Sequence, residues 1–128
     1  MVIRVDGAND VLVIASTLTN GTTGGLTKNG AGTLVLSNAN SNAQTGLTNI
    51  NEGTLRLSGS GRISVANATL NLRNGATLDL TGVGTGTAIG QFNGAGTVAN
   101  TSATAATLQV GNNNGAGTFS GNINQTSG

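Results

Sequence analysis

The chain has no proline, cysteine, histidine, tryptophan or tyrosine, and its only aromatic residues are Phe92 and Phe119. Without cysteine there is neither a disulfide framework nor a thiolate metal site, so redox compartment is left open. The side chains able to do acid–base or nucleophilic work shrink to Asp6, Asp10, Glu52, Asp79, Lys28 and the hydroxyls. Five basic and four acidic residues give a formal net charge of +1, which supplies no field to steer nucleic acid or an anionic membrane. The apolar run Val11 to Ala15 is too short for a signal-peptide core or a membrane helix. A targeting segment, if the parent protein is secreted, is expected outside these residues. An outer-membrane barrel is disfavoured as well, because its rims need aromatic girdles.

What remains is rich in small residues. There are 22 glycines, and Thr, Asn, Ser and Ala fill most of the rest, with Val, Ile and Leu in short bursts. Such bursts between Gly and Asn read as short strands joined by turns. So much Gly, Asn and Ser also invites a disordered reading. Against it, 36% of the residues are hydrophobic and they recur in regular clusters.

The recurrence is an internal repeat. Asn29-Gly30-Ala31-Gly32-Thr33 returns as Asn93-Gly94-Ala95-Gly96-Thr97 and as Asn114-Gly115-Ala116-Gly117-Thr118, with degenerate copies at Glu52-Gly53-Thr54-Leu55 and Asn74-Gly75-Ala76-Thr77-Leu78. Thr33, Thr54, Thr77, Thr97 and Thr118 are thereby spaced by 21, 23, 20 and 21 residues, and a step of 21 back from Thr33 reaches Leu12. After each copy the chain alternates: Leu34-Val35-Leu36, Leu55-Arg56-Leu57, Leu78-Asp79-Leu80, then the weaker Val98-Ala99-Asn100 and Phe119-Ser120-Gly121. A period of two predicts strands with Leu inward and Arg56 or Asp79 outward. Ile63-Ser64-Val65, Leu70-Asn71-Leu72, Ile89 and Leu108-Gln109-Val110 supply further strands in the same turns.

A unit of this size cannot bury its own apolar edge, so it stacks on its neighbours. The expected fold is all-β: a right-handed parallel β-helix, or β-solenoid, of about six rungs with a period of about 21 residues. Residues 1–128 are expected to form a single β-helix segment, an excerpt or unit of a longer rod. A leucine-rich horseshoe shares the repeat length, but only the L-x-L part of its pattern is present.

The stretch Gly25-Leu26-Thr27-Lys28-Asn29-Gly30-Ala31-Gly32-Thr33-Leu34-Val35-Leu36-Ser37 resembles the autotransporter-associated β-strand repeat, also called the passenger-associated transport repeat. That repeat reads G-L-T-K-x-G-x-G-T-L-x-L-S-G-x-N-T-Y-T-G and ends near N-x-G-T-L-x-L, as does Ile50-Asn51-Glu52-Gly53-Thr54-Leu55-Arg56-Leu57 here. The middle departs from it: Asn40-Ser41-Asn42-Ala43-Gln44-Thr45-Gly46 is longer and lacks the Tyr. Gly94 to Asn124 looks like the stretches between such repeats in giant surface proteins. The resemblance implies a β-helical passenger at the surface of a Gram-negative bacterium or outside it, and it brings no catalytic residues.

The expected function is therefore a structural stalk or fibre segment. A self-assembling filament subunit and a non-catalytic part of a β-helical carbohydrate-active enzyme are the alternatives. No catalytic, cofactor-binding or metal-binding residues are expected. Expected partners are neighbouring rungs or identical copies stacked end to end, with adhesion through other regions, no nucleic acid and no membrane insertion. Glu52 in a turn and Asp79 in a strand read as solvated charges, and the sparse charges as a whole read the same way. Arg56 and Asp79 should be lateral neighbours, with Arg62 and Arg73 extending a small polar patch. No G-x-G-x-x-G or G-K-[ST] phosphate loop and no calcium-binding nonapeptide occurs. The sequons at Asn20, Asn67, Asn100 and Asn124 are what this composition produces by chance. Phe92 and Phe119 read as core or end-packing residues.

Overall fold

The computed structural model describes residues 1–18, 23–37, 46–63, 68–83, 87–112 and 114–125. These form thirteen short strands and no helix: β1 Val2–Arg4, β2 Val11–Ile14, β3 Leu26–Asn29, β4 Thr33–Leu36, β5 Thr48–Ile50, β6 Thr54–Leu57, β7 Thr69–Leu72, β8 Thr77–Asp79, β9 Thr87–Ile89, β10 Gln91–Gly94, β11 Thr97–Asn100, β12 Leu108–Val110 and β13 Asn122–Gln125. Every strand pairing is parallel. The first sheet runs β1-β3-β5-β7-β10, the second β13-β11-β8-β6-β4-β2, and a third pairs β9 with β12. The chain thus coils through a β-solenoid of about five turns with a period of about 22 residues.

Parallel sheets buried on both faces read as unbroken apolar runs. Here only one face of each sheet meets the interior, so the strands alternate. In β6, Leu55 and Leu57 are buried while Arg56 is exposed, and in β7 Leu70 and Leu72 are buried between half-buried Thr69 and Asn71. Leu34, Leu55 and Leu78 stack in register as expected, and the column continues through Val98. Against it, the first sheet contributes Leu26, Leu70 and Phe92 from one inward column and Ile50 and Leu72 from the next. Ile63 and Ile89 are fully buried as well.

Two expectations about register need correction. Leu12 pairs with Leu34, and Val11 with Thr33, so the first step is 22 residues rather than 21. The inward–outward parity of the strand settles it, because a shift of one would place every side chain on the wrong face. At the other end, Thr97 pairs with Asn122, not Thr118, and Phe119 bridges Gly94 of the first sheet. The third Asn-Gly-Ala-Gly-Thr copy therefore lies in a lengthened connection between β12 and β13. Ile89 and Gly94 are five residues apart, whereas their partners Val110 and Phe119 are nine apart.

Candidate functional site

Polar side chains gather in three places, each built by the stacking of equivalent positions on successive turns. The first is on the outer face of the second sheet. Register places Arg56 beside Asp79, and the Arg56 Nε donates to Asp79 Oδ2 at 2.6 Å. The Thr81 backbone N–H donates to Asp79 Oδ1 at 2.8 Å, and the Thr81 and Thr101 hydroxyls bond each other at 2.8 Å. The lateral pairing is as expected, but Asp79 is 6% exposed rather than solvated. Burial alone would raise its pKa; the hydrogen bonds from Thr81 and Arg56, with the arginine's charge, outweigh that and hold it below the ordinary value. Asp79 is thus held by Thr81 on its own turn and by Arg56 on the preceding one.

The second place is the corner between the first and second sheets. Leu26 and Lys28 share the inward parity of β3, so Lys28 enters the column of Ile50 and Leu72. Its side chain is fully buried, which corrects its reading as a solvated charge. The aliphatic stem packs in the column and the ammonium reaches the corner. There Nζ donates to the carbonyls of Gly30 at 2.7 Å, Asn29 at 2.9 Å and Glu52 at 3.2 Å. Glu52 lies in the next corner, as expected, and its Oε2 accepts from the Gly30 N–H at 3.1 Å. Desolvation lowers the Lys28 pKa, opposed by the charges of Glu52 and Asp6. The corners lie close enough that only glycine fits: a Cβ on Gly53, where φ is +63°, would sit 2.4 Å from the carbonyl oxygens of Gly30 and Gly32.

The third place is a ladder of carboxamides on the outer face of the first sheet, which the sequence reading passed over. Asn71 donates to Asn49 at 3.0 Å, Asn93 to Asn71 at 3.3 Å, and the Thr118 N–H to Asn93 at 3.0 Å. Beside it Asn51 donates to Asn29 at 2.9 Å. Spacings of 22 residues between Asn49, Asn71 and Asn93 were the available signal. With Asn51 and Arg73 this row lines a shallow cleft, so Arg73 belongs to the first sheet's face rather than to the Arg56 patch. Arg62 is half-buried beside Ile63.

Neither Glu52 nor Asp79 lines that cleft or the apolar cavity under Leu80, Phe92, Val98, Leu108 and Ile123. The two carboxylates are held in different elements by different partners, so they do not form an acid–base pair. Among the described residues no three His, Cys, Asp or Glu side chains gather as they would around a metal ion. Of the sequons, Asn100 is buried, with its amide donating to Thr104 O at 2.9 Å and Gln125 Oε1 at 3.1 Å, while Asn124 is exposed in β13. Asn20 and Asn67 lie outside the described residues. Phe92 is buried and stacks on Phe119 with ring centroids 4.2 Å apart, the packing role expected of both.

Comparison with known families agrees with the motif. Residues 26–57 match the passenger-associated-transport-repeat, the family that the Gly25 to Ser37 stretch resembles. The match begins with the first residue of β3 and ends with the last of β6, so it contains the Lys28 corner and the Glu52 corner that receives it. No curated protein and no solved structure matches the chain.

Proposed function

We infer that this chain is a structural segment of a secreted or surface-displayed passenger of a Gram-negative bacterium, a stiff stalk that spaces other parts of the protein. The repeat at residues 26–57 and the β-solenoid fold fit a structural repeat of a passenger domain. The observation that carries the stalk reading is how the polar side chains are spent. The pairs Arg56–Asp79, Asn71–Asn49, Asn93–Asn71, Asn51–Asn29 and Thr69–Gln91 all run along the solenoid axis, from one turn to the next. Groups arranged for catalysis converge on one point; these, even where they line the shallow cleft, bond in a row from turn to turn. Turns that touch only their neighbours allow length to grow without redesigning the core.

The junctions suit a direct test. Thr33 and Thr97 occupy equivalent positions three turns apart, and each follows a glycine, so residues 33–96 can be repeated in tandem with the new junction Gly96–Thr33 resembling Gly32–Thr33. Each added block should lengthen the particle by roughly 14 Å at constant cross-section, taking about 4.8 Å per turn, as measured by small-angle X-ray scattering. A cross-section that widens with each block would reject the rod. In the same chains, turnover of polysaccharides, esters or peptides that is lost in Asp79→Asn or Glu52→Gln would overturn the structural assignment.

A further inference from the structure

We propose that the corner around Lys28 is a cation site built of backbone oxygens, and that the lysine ammonium is its resident cation. The carbonyl oxygens of Asn29, Gly30 and Glu52 converge on one point at 2.7 to 3.2 Å, from two successive corners of the solenoid. Peptide carbonyls aimed at one place in the interior repel each other unless something positive lies between them. Two carboxylates add to the negative field there: Glu52, whose Oε2 is anchored on the Gly30 N–H, and Asp6, which acts on Lys28 through space while paired with Arg4. An all-oxygen set of carbonyls and carboxylates is what a hard cation such as calcium takes. Here the cation arrives on a tether instead.

The tether explains an otherwise costly choice. Lys28 is the chain's one lysine, and it is fully buried in a column whose neighbours, Ile50 and Leu72, are aliphatic. An aliphatic side chain at position 28 would continue that column but leave the carbonyl cluster uncompensated. Because the corner carries its own cation, the fold at this point does not depend on dissolved metal. The site also lies within the 26–57 match and joins its two turns, so it acts as the clamp between them.

The test separates charge from packing. Thermal unfolding of the wild-type chain should be indifferent to calcium chloride and to EDTA. Lys28→Met, which keeps the bulk and loses the charge, should lower the melting temperature by about 10 °C, as expected when a buried charge is removed from its partners. Lys28→Ala should fall at least as far, and because it empties the corner it should regain most of the loss as calcium is added, with saturation. Sodium and potassium chloride at matched ionic strength are the controls. If Lys28→Ala does not fold alone, recovery of its β-sheet circular dichroism on adding calcium is the readout. Three results would overturn the proposal: Lys28→Met as stable as wild type, no saturable recovery of Lys28→Ala with calcium beyond that given by the sodium and potassium controls, or the same calcium-dependent gain in wild type.

Discussion

Asp79 is where a single residue's chemistry can be read in stability. Its carboxylate accepts from Arg56 and Thr81, and although burial pushes the other way, its pKa in the folded chain lies below the ordinary 3.8. A carboxyl whose pKa is depressed on folding stabilises the fold fully above its unfolded value, and loses that contribution as pH falls through the folded value. Compared by urea denaturation, the wild-type chain should be more stable than Asp79→Asn at pH 7, and the gap should begin to close as pH drops below about 5. A gap that stays constant down to strongly acid pH would mean that the charge of Asp79 contributes nothing. Thr81 and Thr101 extend the same arrangement to the next turn, so the loss in Asp79→Asn should not be restored by removing Arg56.

At the scale of the strand, the most telling position is one that breaks the column it belongs to. Thr48 of β5 lies between Leu26 and Leu70 in an inward column, 1% exposed, and its hydroxyl has no hydrogen-bond partner. Replacing it with valine keeps the shape and removes an unmet polar group. Thr48→Val should therefore stabilise the chain by about 1 kcal/mol in chemical denaturation. A loss would show that the hydroxyl is satisfied in solution. The same parity argument explains how far the sequence was legible. Thr-Leu-x-Leu strings revealed β4, β6 and β8 with correct register, because apolar alternation and burial are one signal. Lys28 shares the inward parity of Leu26, two residues before it, but its charge argues for the surface and the corner carbonyls that receive it are not visible in the sequence. The carboxamide ladder was spelled out at intervals of 22 residues, yet asparagine is so common here, and so suited to turns, that its spacing did not stand out. The third Asn-Gly-Ala-Gly-Thr copy misled for the opposite reason. Identical letters lie in a lengthened stretch, where Val110 and Phe119 are nine residues apart and their partners Ile89 and Gly94 five, and strand register, not the string, decides equivalence.

For the whole molecule, the decisive property is that a stack of turns has two different ends. Among the described strands, β2 and β13 close the second sheet on opposite sides, each paired along one edge only. Neither carries a charged side chain, and Val11, Val13 and Ile123 are 61%, 57% and 69% exposed. Edge strands that resist pairing usually carry lysine, proline or a bulge. These carry none, so they can accept another turn from the same chain or from a second copy. In a second copy, Leu12 would follow Ile123 in the column that already runs through Leu34, Leu55, Leu78 and Val98. Such contact is head to tail and does not close, so the 128-residue chain on its own should form fibres of uniform width as concentration rises. Blocking one end at a time distinguishes this from general stickiness. Leu12→Lys and Ile123→Lys should each be monomeric by sedimentation, because each retains only one competent end. Mixed together, the free β13 end of the first meets the free β2 end of the second, giving a one-to-one dimer that grows no further. Nonspecific association predicts no such stoichiometry, and aggregates of either single variant would count against ordered stacking.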